Sequence, residues 1–448
     1  MEEAQRQAAL AVDRVLRGAA LPAALAAIAP SEDARERAEP GRRRALVQEL
    51  AYGTLRHWGR LAALTRALAN KPFADPALVA LVAVALYQIE HTRAPAFAVV
   101  DHAVNAAARI ARPAAKALVN ALLRRYLRER ESLDALVRND PEARWSHPAW
   151  WIRRVGAQYP QEWEAMLAAG NERPPLTLRI NVRRTTRAAF LAACAAAGIG
   201  TTVAGKSGVI VDPPRPVSEL PGFREGWFSV QDLGAQLAAP LLAAESGMRV
   251  LDACAAPGGK TAHLCELADV DVLALDNDAS RLARLTENLA RLQVGGGRVR
   301  VVAGDAAAPE RWWDRRAFER VLVDAPCTAS GVVRRHPDGK WLRRERDIAA
   351  LAEQQQRLLD ALWPCVAPGG RMLYATCSVF REENEAVVEA FRARHEDALR
   401  EPLGLPDEVA HRGGQLLPSL PGAAHNQDGF FYALLGKRVK RHVAPRSP

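Results

Sequence analysis

Asp252-Ala-Cys-Ala-Ala-Pro-Gly-Gly-Lys-Thr261 follows a short apolar run, Val250 to Asp252, and opens a stretch that reads as a helix. A strand, a glycine-bearing turn and a helix in that order is the opening unit of a nucleotide-type site. Gly258 and Gly259 let the backbone approach a ligand without a side-chain clash, with the helix N-terminus behind them. Two alternatives fail on spacing. A Walker A loop needs glycine five positions before the Gly-Lys pair, where Cys254 stands. The pattern G-x-G-x-x-G is also absent.

Working outward, further strands are expected at Val272–Asp276, Val299–Ala303, Val321–Val323, Met372–Ala375 and Phe430–Leu435, separated by helical stretches. Such alternation predicts a Rossmann-like, mostly parallel, doubly wound sheet over residues 233–436, with ligands beyond the carboxyl ends of its strands. Asp276 ends the second strand, 24 residues after Asp252, where an acid accepts hydrogen bonds from ribose hydroxyls. Asp305 follows the third strand and is placed to border an adenine. A single such aspartate is more often a plain turn residue. Three at successive strand ends around a glycine loop point to an adenosine-type cofactor.

Asp324-Ala-Pro-Cys327 and Thr376-Cys377-Ser378 each follow an apolar run, Arg320 to Asp324 and Arg371 to Ala375. If those strands are neighbours, both thiols point into one crevice, an arrangement suited to covalent attack on a pyrimidine ring. A lone cysteine is usually a small buried residue, but two at strand-end turns are not explained by packing alone. Spacing leaves open which thiol attacks.

The chain of 448 residues has room for two or three domains, and its 49% hydrophobic and 25% charged residues are those of a globular protein. Its longest apolar run, Ala77 to Tyr87, is too short to span a bilayer, which takes roughly 20 residues. Glu2, Glu3, Asp13 and Arg14 interrupt any signal-peptide core. Six scattered cysteines are no disulfide framework, so a reducing, cytoplasmic setting is expected, with no membrane partner and no metal. The net charge of +10 favours a polyanionic partner. Of 61 basic residues 54 are arginine, though the alanine richness suggests that genome composition contributes to that excess.

Residues 1–140 read as an all-helical bundle. Val119, Leu122, Leu123, Tyr126 and Leu127 follow one amphipathic template, and Leu61, Leu64 and Leu68 another. Pro72, Pro76, Pro95 and Pro113 punctuate the helices, and Arg42-Arg43-Arg44 is expected on a loop. Residues 141–173, rich in Trp and Pro, read as a packed connector. Residues 174–232 read as a small α/β subdomain that binds RNA, with a strand at Leu176–Val182, a helix at Thr186–Ala197 and a strand at Val209–Val211. Arg179, Arg183, Arg184 and Arg187 lie on or beside its first strand. Residues 437–448 form a basic tail with five cationic residues and no acid.

Taken together, Cys254-Ala-Ala-Pro-Gly-Gly-Lys260, Asp324-Ala-Pro-Cys-Thr-Ala-Ser-Gly331 and Tyr374-Ala-Thr-Cys-Ser378 resemble the RNA 5-methylcytosine methyltransferases that use S-adenosylmethionine. Arg334-Arg-His-Pro-Asp338, Lys340-Trp341 and Asp428-Gly-Phe-Phe-Tyr432 extend the likeness. The helical region is similar, more loosely, to the NusB-type RNA-binding module, on Arg43-Arg44 through Arg56 and on helix layout. That order of domains resembles the RsmB (Sun) branch, which modifies small-subunit ribosomal RNA. One departure stands out: the family commonly has Ser after the first cysteine and Thr before the glycine, and here Thr328 and Ser330 exchange those hydroxyls.

The resemblance implies methylation of carbon-5 of a specific cytosine, cytosine 967, in 16S ribosomal RNA, as free RNA or in an assembling small subunit, by a monomer. It makes Cys377 the nucleophile and Cys327 the residue that assists release. Asp324 would hydrogen-bond the cytosine ring nitrogen and can also touch the cofactor. S-adenosylmethionine would be held by Cys254, Ala255, Ala256, Pro257, Gly258, Gly259 and Lys260 with Asp276, Asp305 and Asp324. A thiolate is needed, and a basic crevice favours one. The target base must be unpaired or flipped out. Arg334, Arg335, Arg343, Arg344 and Arg346, with Trp341 among them, are expected to hold the RNA backbone and stack a base. Alternatives are another RNA such as transfer RNA, a DNA cytosine methyltransferase, which would attack through Cys327, and a non-catalytic RNA-binding ribosome-assembly factor.

Overall fold

In the computed structural model, the apolar run Ala77–Tyr87 forms most of helix Pro76–His91. The Asp75 side chain caps it by accepting from the Ala77 amide, and Pro76 takes the first position, where no amide donor is needed. Leu81 through Leu86 are fully buried. This helix is apolar all round because helices Glu2–Leu16, Pro40–Arg56, Trp58–Leu68, Ala96–Ile110 and Ala115–Val137 pack around it. The structure describes residues 1–28, 40–69, 71, 73, 75–111, 113–405, 411–420 and 426–439. Pro72 and most of the basic tail lie outside them.

Several expectations shift within this helical unit. Val119, Leu122, Leu123 and Tyr126 are buried, but Leu127 lies at the edge of the stripe and is exposed. Arg42, Arg43 and Arg44 are not on a loop: Pro40 starts a helix, and the triplet falls in its first turns. Residues 141–173 form helices Pro141–Trp145, Ala149–Gln158 and Trp163–Asn171 and belong to the same compact unit.

The unit, Met1–Arg173, also takes in a distant segment, Val333–Glu345. Helix Pro40–Arg56 ends with carbonyls that have no partner within the helix. Trp341 Nε1 donates to the Leu55 carbonyl at 2.8 Å and Lys340 Nζ to the Arg56 carbonyl at 2.7 Å. Lys340 also donates to Asn171 Oδ1, Arg56 Nη2 to the Arg334 carbonyl, and the Leu21 amide to Asp338. The expected RNA grip is therefore corrected. Arg334 is buried and the Trp341 ring packs on the helical core, so neither is presented for stacking a base. Arg335 and Arg343 are half-buried, while Arg344 and Arg346 remain exposed.

The second unit, Pro174–Val332 with Arg346–Pro448, holds two sheets. In the small one, β1 (Leu176–Ile180), β2 (Thr201–Ala204), β3 (Gly208–Val211) and β4 (Phe228–Val230) run antiparallel in the order β2-β3-β1-β4. Helix Arg187–Ala196, capped by the Thr186 hydroxyl, covers one face over Leu178, Ile180, Val209 and Phe228. The other face of β1 presents Thr177 and Arg179, both fully buried.

The large sheet contains β5 (Arg249–Ala253), β6 (Asp271–Asp276), β7 (Val299–Ala303), β8 (Phe318–Asp324) and β9 (Val366–Thr376), all parallel. Strands β10 (Ala398–Glu401), β11 (His411–Arg412), β12 (Gln415–Leu416) and β13 (Phe430–Lys437) complete it, β13 antiparallel to β9 and to its other partners β10 and β12. The order is β11-β12-β13-β9-β8-β5-β6-β7, with β10 beside β13. Alternate residues feed two cores. Val250, Leu322 and Leu373 enter one; Leu251, Val321, Val323, Met372 and Tyr374 enter the other. From β5 the chain winds one way to β6 and β7, then returns to β8 and β9 on the other side. The switch point therefore lies between β5 and β8, where the glycine loop and the first cysteine turn both emerge.

Candidate functional site

Strands β8 and β9 pair in register, Asp324 opposite Ala375, so their two turns leave the sheet side by side. The Ala325 amide donates to the Ala375 carbonyl and the Gly331 amide to the Cys377 carbonyl, which ties the turns together. Cys327 Sγ and Cys377 Sγ lie 3.4 Å apart, both as free thiols. Cys327 is buried and Cys377 half-buried. The hydrogen bond to Cys377, burial and the Glu383 charge push the Cys327 thiol well above its usual range. Cys327 is therefore held as a thiol, and Cys377 is the sulfur with an open side.

Glu383, which the sequence reading missed, clamps both turns from beneath. Its Oε1 accepts from the Thr328 amide at 2.8 Å and Gln355 Nε2 at 3.1 Å. Its Oε2 accepts from the Thr328 hydroxyl at 2.6 Å and the Ser378 hydroxyl at 2.5 Å. Burial raises the carboxyl's pKa, and these hydrogen bonds oppose the rise. The exchanged hydroxyls join this network. Thr328 bonds Ser330, and Ser330 accepts from the Val379 amide. Both hydroxyls are buried and fix the loop from inside. Asn384 adds a bond from the Thr376 hydroxyl and one to the Ser378 carbonyl. The available signal was an acid-and-amide run, Glu382-Glu-Asn384, a few residues past the second cysteine.

The glycine loop leaves β5 beside them. Cys254 and Gly258 adopt left-handed backbone, φ +64° and +96°. At Gly258 a Cβ would stand 2.7 Å from Leu285 Cγ, so packing alone requires glycine there. Gly259 differs: a Cβ there would meet only Gln231 Nε2 at 3.7 Å. That is ordinary van der Waals contact, so packing does not require glycine at this position. Asp276 is buried. It accepts from the Ala256 amide and the Asp278 amide, both at 3.0 Å, and so knits the loop to the end of β6. Asp305, exposed at the end of β7, accepts from the Ala307 amide.

Asp252 is fully buried, and burial pushes its pKa up to about 7 against the hydrogen bond donated by Thr261 at 2.6 Å. Burial and the charges of Asp324 and Asp276 likewise raise the Cys254 thiol, which is thus no rival nucleophile. Lys260 Nζ meets Asp324 Oδ2 at 2.6 Å. Burial alone would lower its pKa, but the Asp324 charge and hydrogen bond outweigh that and the net direction is up. The structure thus gathers Cys327, Cys377, Asp324 and Lys260 at adjoining strand ends, with Asp276 one strand further and Asp305 beyond it. Among the described residues, no group of His, Cys, Asp and Glu side chains forms a metal set, and no helix is long and apolar enough to cross a membrane.

Residues 239–436 match the 16S rRNA methyltransferase RsmB/F family, residues 147–218 the ferredoxin-like domain of RsmF/B-like methyltransferases, and residues 2–128 the NusB family. A ribosomal RNA small subunit methyltransferase B of Vibrio cholerae is 43% identical over 424 residues, 94% of this chain and 93% of that protein. One of Pseudomonas putida is 47% identical over 405 residues, 88% and 91% of the two chains. The crystal structure of PH0851 superposes with a TM-score of 0.77 at 25% identity, covering 97% of this chain and 99% of that one. The fold is shared with NSun6 from Pyrococcus horikoshii, TM-score 0.57 at 21% identity over 65% of this chain and 98% of that one. The chain belongs to the RsmB/F family of 16S rRNA methyltransferases, with S-adenosylmethionine as its cofactor and a NusB-like helical region ahead of the catalytic sheet.

Proposed function

We propose that this chain methylates carbon-5 of a cytosine in 16S ribosomal RNA, cytosine 967, through a covalent Cys377–cytosine adduct. The observation that carries the reading is the pair of free thiols 3.4 Å apart, one buried and protonated, the other open to the crevice. Carbon-5 of cytosine is a weak nucleophile. Addition of the Cys377 thiolate to carbon-6 makes carbon-5 electron-rich, as covalent catalysis requires. The electron pair displaced onto the ring nitrogen takes up a proton, and Asp324, held by Lys260, accepts a hydrogen bond from that N–H and stabilises the adduct. After methylation, solvent at the open side of the crevice takes the carbon-5 proton, and the C–H electron pair reforms the 5,6 double bond as Cys377 leaves as a thiolate. The Cys327 thiol stands next to the departing sulfur and assists release.

S-adenosylmethionine, when bound, supplies an electrophilic methyl group. Cys254 to Lys260 would hold it with Asp276, Asp305 and Asp324, Asp276 at the ribose. The helical region, the small sheet and the basic tail would bind the RNA, as free RNA or in an assembling subunit, with the protein a cytoplasmic monomer.

Mapping 5-methylcytosine in 16S rRNA from cells with and without the protein tests the target: one site should lose its methyl group, and no change at any 16S cytosine refutes the substrate. Cys327→Ala should accumulate a protein–RNA adduct that survives denaturing electrophoresis. Loss of methylation without an adduct in that variant, with an adduct trapped by Cys377→Ala, would reverse the roles of the thiols; normal turnover by Cys327→Ala would refute its part in release.

A further inference from the structure

Arg179 lies in the middle of β1, one of four arginines on or beside that strand, and it is fully buried. Its Nε and Nη2 grip Glu266 in a two-pronged ion pair at 2.9 and 2.6 Å. Its Nη1 donates to the Gly259 carbonyl at 2.8 Å and to Gln231 Oε1, and Nη2 reaches the Ser229 hydroxyl. Gly259 belongs to the cofactor loop and Glu266 to the helix that the loop opens, Gly259–Leu267. One guanidinium therefore fastens both ends of that helix to the small sheet. Neighbouring contacts share the task. Arg183 donates to the Glu266 carbonyl, and Asn181 donates to the Leu292 carbonyl at the end of helix Ala279–Leu292, which follows β6.

The mechanism above does not use this cluster. A buried ion pair is a poor source of net stability, because desolvation offsets most of the attraction. What a planar, forked donor supplies is position. We propose that Arg179 is a positioning residue for the cofactor: through the Gly259 carbonyl it holds the glycine loop in its binding conformation, so that the small sheet sets the affinity for S-adenosylmethionine. The proposal rests on the reading of Cys254–Lys260 as the cofactor loop. A preformed loop spares the ligand the cost of ordering it.

The test is isothermal titration of the full chain with S-adenosylmethionine, together with hydrogen exchange over residues 255–262 in cofactor-free protein. Arg179→Lys keeps a cation for Glu266 but cannot also reach Gly259. It should weaken cofactor binding about tenfold, the worth of one charge-assisted hydrogen bond, and speed exchange in the loop. Glu266→Gln leaves the arginine beside Gly259. It should lower the melting temperature at least as much, yet weaken binding less than about twofold. Gln231→Met removes a group that orients Nη1 and should shift affinity the same way as Arg179→Lys, which keeps the proposal testable if that variant misfolds. Wild-type affinity in folded Arg179→Lys, or affinity losses that merely track melting temperature across the three variants, would overturn the proposal. Failure of the wild-type chain to bind S-adenosylmethionine would instead overturn the cofactor reading and the proposal with it.

Discussion

Lys260, half-buried in the crevice, and Lys340, fully buried in the helical unit, both leave water behind, yet their surroundings shift their pKa values in opposite directions. Burial lowers the pKa of each. At Lys260 a carboxylate 2.6 Å away reverses the direction, and the ammonium is fixed. At Lys340 the hydrogen-bond acceptors are two neutral carbonyl oxygens, each at 2.7 Å, and nearby Arg56 adds repulsion, so its pKa falls well below the usual lysine range. The crevice therefore sets its lysine against a carboxylate that holds the charge, whereas the segment Val333–Glu345 sets the same side chain against a helix end where the charged form is disfavoured.

Substitution in the crevice should cost activity and leave the fold intact. Cys377→Ala should lower turnover by at least about 10⁴-fold, without trapping RNA, since the covalent route is gone. A variant still methylating at a tenth of the normal rate would refute the adduct. Lys260→Met comes next, with a loss of about 100-fold to 1,000-fold in kcat, the scale for removing one preorganised electrostatic contact. Its melting temperature should stay close to wild type, because Asp324 is partly open to water and can be hydrated there. A stability loss with normal kcat would make Lys260 another structural lysine and erase the contrast.

The large sheet was legible from the sequence because strands buried on both faces write themselves as short unbroken apolar runs at Val250–Asp252, Val321–Val323 and Met372–Ala375. The thiol pair was legible because both turns follow such runs. Less visible were groups that act through buried hydrogen bonds. Glu383 and Arg179 look like surface charges in any local window. Their partners, Thr328 and Ser378 for one and Glu266 and Gly259 for the other, are brought to them only by the tertiary fold. Trp341 and Arg334 misled for the same reason. An aromatic among arginines reads as a stacking platform, and nothing local says that the end of helix Pro40–Arg56 waits for an indole N–H. The strands β10, β11 and β12 escaped notice because they are short edge elements whose pairing depends on β13.

The smallest effect on activity, and the one that separates the two lysines most cleanly, belongs to Lys340→Met. Methylation should remain within about twofold of wild type, since this amine serves the helical unit. The readout is the pH dependence of stability. An unfolded lysine titrates near 10.5, the folded one far lower. Between those values the unfolded chain binds a proton that the folded chain refuses. Wild-type stability should therefore fall as pH falls from 10.5, by about 1.4 kcal/mol per unit, until the folded-state pKa is reached. The variant lacks this slope. In urea titrations followed by helical circular dichroism, wild type should gain on Lys340→Met as pH rises from the folded-state pKa to about pH 10, while below that pKa the methionine chain should be within about 1 kcal/mol of it or more stable. Parallel profiles would mean that Lys340 keeps its proton in the fold, and that its charge is met by something other than the two carbonyl oxygens.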